Sequence, residues 1–154
     1  MKNTTQGFSL IEIMVVMAII AAMSSGALYG FQQWQQHQRL WQTTHQLSQF
    51  LYHLRSDANG LNRNHILTFW QQHDQWCLTS QQYAGKPCMT ASQWQFIPRF
   101  KDVSMSEMTQ GIGFYGLMNT AKAGHIILSN GAGQRRIIVS VWGRIRICCL
   151  AGNR

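Results

Sequence analysis

GFSLIEIMVVMAIIAAMSSGALYGF, residues 7–31, decides how the rest of this chain is read. From Phe8 to Phe31 the segment holds one charged residue, Glu12, and no proline. As a helix it would run roughly 36 Å, enough for a hydrocarbon core of about 30 Å. A carboxylate inside hydrocarbon is costly, and intramembrane carboxylates usually have a function. A cleaved secretory signal would have a shorter apolar stretch and a more basic front than MKNTTQG, and it would not tolerate Glu12. A plain signal anchor gives the carboxylate no task.

Residues 32–59 read as a continuation of the same helix. Leu40, Thr44, Leu47, Leu51, Leu54 and Ala58 recur at alternating spacings of four and three, one apolar stripe. No proline interrupts the chain before Pro87, and Asn59-Gly60 supplies a stop. A helix of about 50 residues would span roughly 75 Å, too long for a compact domain of its own. The glutamines around Trp34 and Trp41 suit a solvated face. His37, His45 and His53 are spaced so that they drift around the helix, so they offer no metal site.

After Gly60 the period changes. Short β-prone runs cover 65–70, 76–79, 94–97, 112–115, 125–128, 136–141 and 144–148. Turn signals separate them at 71–75, 84–87, 119–124 and 130–133. This predicts a mostly antiparallel sheet packed on the long helix, an α+β arrangement. Trp70, Trp76, Trp94 and Trp142 read as core or strand-face residues. No internal repeat, phosphate loop, G-x-S-x-G or clustered acidic pair is present. With 5 Asp and Glu against 13 Lys and Arg, carboxylate catalysis has little material, and nothing calls for a cofactor or a metal. The formal net charge of +8 favours polyanionic partners such as DNA or acidic lipid.

The four cysteines, Cys77, Cys88, Cys148 and Cys149, form no C-x-x-C pair. An even count behind an export-type N-terminus favours disulfides in an oxidising compartment. Cys77 and Cys88 would close a short loop. Alternatively, Cys148 or Cys149 ties the C-terminal tail back to one of them.

Gly7-Phe8-Ser9-Leu10-Ile11-Glu12, with the long apolar run behind it, resembles the type IV prepilin signal. The resemblance implies cleavage between Gly7 and Phe8 by prepilin peptidase, then N-methylation of Phe8. Residues 1–7 would be the leader and 8–31 the membrane anchor and filament-core helix. Residues 32–59 would be its amphipathic continuation and 60–154 a periplasmic β-rich domain. Glu12 would attract the terminal amine of a neighbouring subunit and set its register. Major pilins often carry a proline about three turns into this helix. Here residues 24–30 have Gly26 and Gly30 but no proline, closer to a minor pilin or pseudopilin.

HIILSNGAGQRRIIVSVWGRIRICC, residues 125–149, resembles the C-terminal region of the GspH/FimT branch of these proteins. There a β-rich segment leads into Gly-Arg-x-Arg, here Gly143-Arg144-Ile145-Arg146. Within the branch the chain is most similar to the prepilin peptidase-dependent group. The partners implied are prepilin peptidase, other pilins or pseudopilins, and an inner-membrane assembly platform. In FimT-like members the motif is tied to double-stranded DNA uptake. In an extended segment, side chains two residues apart share a face, so Arg144 and Arg146 would reach adjacent phosphates. Gly143 would let the backbone come close, and Arg135, Arg136 and Arg154 would widen the patch. The competing reading makes these arginines a charged, solvent-facing strand edge.

Overall fold

The computed structural model describes residues 9–148, except 73, 84, 86, 90 and 91; for 25–29 it describes the backbone only. Gly7, Phe8, Cys149 and Arg154 lie outside the described residues. The chain forms two units, Met1–Gln35 and Gln36–Arg154.

Helix α1 is Leu10–Leu61, followed by β1 (Asn64–Gln72), β2 (Gln75–Ser80), β3 (Gln95–Phe96), β4 (Ser104–Met108) and β5 (Gly113–Tyr115). Then come β6 (Thr120–Lys122), β7 (Gly124–Asn130), β8 (Gly133–Val139) and β9 (Ile145–Cys148). In the first unit α1 is apolar over residues 10–23 apart from Glu12, with Leu10, Ile11, Met14, Met17 and Met23 exposed. In the second unit the helix is amphipathic. Leu40, Leu47, Leu51, Leu54 and Ala58 are fully buried and Thr44 nearly so, which is the stripe expected from the spacing. Thr43 and Thr44 satisfy their buried hydroxyls by donating to Arg39 O and Leu40 O one turn back, at 2.9 and 2.7 Å.

The helix does not stop at Asn59-Gly60, as the sequence suggests. It runs to Leu61, and Asn62 takes the left-handed conformation at φ 52°. Arg63 N–H then donates to Ala58 O at 3.2 Å, the closing bond of a Schellman cap. Asparagine tolerates that conformation, and the β5–β6 turn seals the end. Gly116 lies directly against Ala58 O, too close for any Cβ, and its N–H donates to Asn64 Oδ1 at 3.3 Å.

The strands form two antiparallel sheets where a single sheet was expected. One has the order β3-β2-β1-β5-β6 and the other β4-β7-β8-β9. Both contribute to one apolar cluster with the helix, in which Leu67, Leu78, Phe114, Ile126, Leu128 and Ile137 pack with the leucine stripe. The α+β class holds: a long N-terminal helix whose second half packs on antiparallel sheet. Two strands escape a reading by β-propensity. β4 is SMSEM, an edge strand with a register shift between Met105 and Glu107, and β6 has only three residues. Pairing partners rather than local propensity make them strands.

Trp76 is buried and donates its indole N–H to Val103 O at 2.7 Å. Trp94 stacks on His65 with ring centroids 5.0 Å apart. Trp142 departs from expectation: it is 70% exposed, in the turn between β8 and β9 rather than in the core or on a strand. Cys77 on β2 is disulfide-bonded to Cys88, with Cα atoms 5.5 Å apart. Cys148 carries a free, half-buried thiol.

Candidate assembly segment and cationic sheet face

Helix α1 begins directly after Ser9. The backbone N–H groups of Glu12 and Ile13 donate to Ser9 O at 3.0 and 3.3 Å. Serine at the cap with glutamate three residues on is the capping-box pattern, a local signal in addition to the processing motif. Glu12 sits in the first helical turn, where the positive end of the helix favours a carboxylate, and its side chain is exposed. Among the described residues, no helix is long and apolar enough to cross a membrane. The densely apolar run covers residues 10–23, about 21 Å of helix, before Ser24 and Ser25.

The second cluster lies on the four-stranded sheet. Ile138 pairs with Arg146 and Arg136 with Cys148, so Arg136 and Arg146 project from the same face. Ser140 N–H donates to Arg144 O at 2.9 Å, which extends the ladder by one pair and puts Arg144 on that face too. The alternate residues, Ile137, Val139 and Ile145, point into the core. Arg135 shares their side, opposite Leu128, so it does not join the cluster despite its place in the sequence. Among the described residues, the Nε atoms of Arg135 and Arg136 are buried without hydrogen-bond partners. His125, opposite Ile138, adds an imidazole to the cationic face, and its Nε2 lies 3.1 Å from Glu107 Oε1.

Gly143 also has a task within the fold. It is buried, with φ 69°, and a Cβ there would lie 2.9 Å from Arg55 Nε. Its N–H closes the turn by donating to Ser140 O at 2.8 Å. Arg55 also reaches Trp142 O at 3.4 Å. The left-handed φ and the turn that closes on Ser140 therefore favour glycine at this position.

One further set of polar residues went unread in the sequence. His65 Nδ1 lies 2.7 Å from Ser80 Oγ and Nε2 lies 2.8 Å from Asp57 Oδ2. These residue types match a hydrolase triad, but the ring is reversed, with Nδ1 rather than Nε2 facing the serine. His65 has no exposure and Ser80 only 2%, so the hydroxyl is sealed from any substrate. The set instead ties α1 to β1 and β2. Among the described residues, no group of His, Cys, Asp or Glu could hold a metal ion.

Residues 2–28 match the model of the prokaryotic N-terminal methylation motif. This is a type IV prepilin-like signal, the mark of a pilin-like protein processed by prepilin peptidase. No curated protein and no solved structure matches the chain.

Proposed function

We propose that this chain is a minor pilin or pseudopilin of the GspH/FimT type. It is made as an inner-membrane precursor, cut between Gly7 and Phe8 and methylated at Phe8. It is then built into a type IV pilus or a secretion pseudopilus. The observation that carries this reading is the methylation motif over residues 2–28, with Glu12 set in the first turn of an all-round apolar helix. Exposed apolar side chains on every side of residues 10–23 call for a non-aqueous environment, either lipid or the packed helices of a filament. Cleavage puts a positive amine on Phe8, four residues before Glu12, and in a low dielectric that charge attracts a carboxylate strongly. Leu117 and Met118 in the β5–β6 turn, and Trp142 in the β8–β9 turn, are exposed apolar groups suited to contacts with neighbouring subunits.

Glu12→Gln tests the assembly role. The variant still enters the membrane fraction, while its recovery in sheared filaments falls about tenfold or more, the loss of one charge pair worth roughly 1.4 kcal/mol. Equal recovery of the two proteins contradicts the role given to Glu12.

A second reading adds capture of double-stranded DNA. It is favoured by Arg136, Arg144 and Arg146 sharing one sheet face. Such binding is independent of sequence and weakens with salt. Reversing both Arg144 and Arg146 to Glu removes two phosphate contacts and lowers the salt slope by about two. Unchanged binding rules this reading out.

A further inference from the structure

The four-stranded sheet has two outer edges, and they differ. β4 carries a register shift between Met105 and Glu107, which spoils its ladder for any further strand. β9 pairs with β8 in unbroken register over Arg136↔Cys148, Ile137↔Ile147, Ile138↔Arg146 and Val139↔Ile145. Because Ser140 N–H bonds to Arg144 O, and Arg144 N–H to Ser140 Oγ, the backbone groups of Arg144 are spent on Ser140 and those of Arg146 and Cys148 on β8. Those of Ile145 and Ile147 point outward. Tyr52 Oη, from α1, donates to Ile145 O at 3.0 Å and closes the start of this edge. Ile147 is 39% exposed, and no described residue hydrogen-bonds to its outward N–H or C=O.

We propose that the β9 edge accepts an extended segment of a partner protein as a fifth strand, one whose side chains alternate acidic and apolar. The backbone supplies the docking: the Ile145 N–H and both groups of Ile147 form the ladder. The side chains supply the choice of partner. On one face Arg144 and Arg146 stand two residues apart, with Arg136 diagonal to Arg146, so acidic residues at every second position of the incoming strand meet a positive row. On the other face Ile147 offers an apolar contact, so the intervening residues are apolar. A second copy of β9 is disfavoured, because antiparallel pairing would set these arginines against each other.

The test uses full-length protein in detergent and three fluorescent octapeptides: alternating glutamate and valine, alternating lysine and valine, and a glutamate block followed by a valine block. The first is expected to bind at least about tenfold tighter than the others and to protect the Ile145 and Ile147 amides from hydrogen exchange. Ile147→Pro removes one outward N–H and spares the β8 ladder, so it should abolish binding while leaving the unfolding temperature nearly unchanged. Arg144→Glu with Arg146→Glu should shift preference to the lysine peptide.

Equal binding by Ile147→Pro, or by the lysine peptide, overturns the proposal. So does duplex DNA binding that survives Ile147→Pro while no peptide binds, since the arginine face would then serve nucleic acid. Peptide binding only to a chain ending at Cys148 overturns it as well, because residues 149–154 would then be the occupant.

Discussion

His65 is fully buried, yet both ring nitrogens find partners, Ser80 Oγ on one side and Asp57 Oδ2 on the other. Replacing it with Phe keeps the ring that stacks on Trp94 but strands a nearly buried hydroxyl and a carboxylate that is only 15% exposed. The expected loss is about 3 kcal/mol, read from the unfolding midpoint in detergent. A loss below about 0.5 kcal/mol would mean that water or neighbours replace the histidine. None of this was legible in the sequence, because the partners are set by the β1–β2 register and by where α1 ends. That Arg144 and Arg146 share one face was legible, since their spacing along an extended segment fixes where they point. Gly143 was legible as a requirement but not in its structural cause, the left-handed turn that closes on Ser140.

At the scale of the element, the leucine stripe of α1 could be read from its period alone, and so could most strands. The helix stop could not. Asn59-Gly60 has the right composition, but the cap forms where the chain can close a bond to Ala58 O, and that is at Asn62 and Arg63. The two assignments predict opposite effects. Gly60 lies inside the helix with open space around its missing Cβ, so Gly60→Ala should stabilise the protein by roughly 0.5–1 kcal/mol. Asn62→Val puts a β-branched residue in the left-handed region and should destabilise it by about 1–2 kcal/mol. Thermal unfolding of the two variants checks the pair; destabilisation by Gly60→Ala would return the cap to Gly60. β4 and β6 were missed for a related reason, because strand identity there comes from partners.

Across the whole molecule, two features are most specific. The N-terminal methylation motif carries the functional class, and the α+β architecture gives its helix a sheet to pack on. The residues between Gly60 and the GRxR turn carry little sequence signal of purpose, since their composition serves core packing and edge pairing. In the proposed reading processing is the step on which the rest depends: a new amine at Phe8 would give Glu12 its partner and the apolar helix its route into a filament. The most direct measurement is the N-terminal mass of the protein expressed with and without a prepilin peptidase. The expected result is a peptidase-dependent chain that begins at N-methylated Phe8. A chain that keeps residues 1–7 in the presence of the peptidase, or that begins near Gly26, would contradict it.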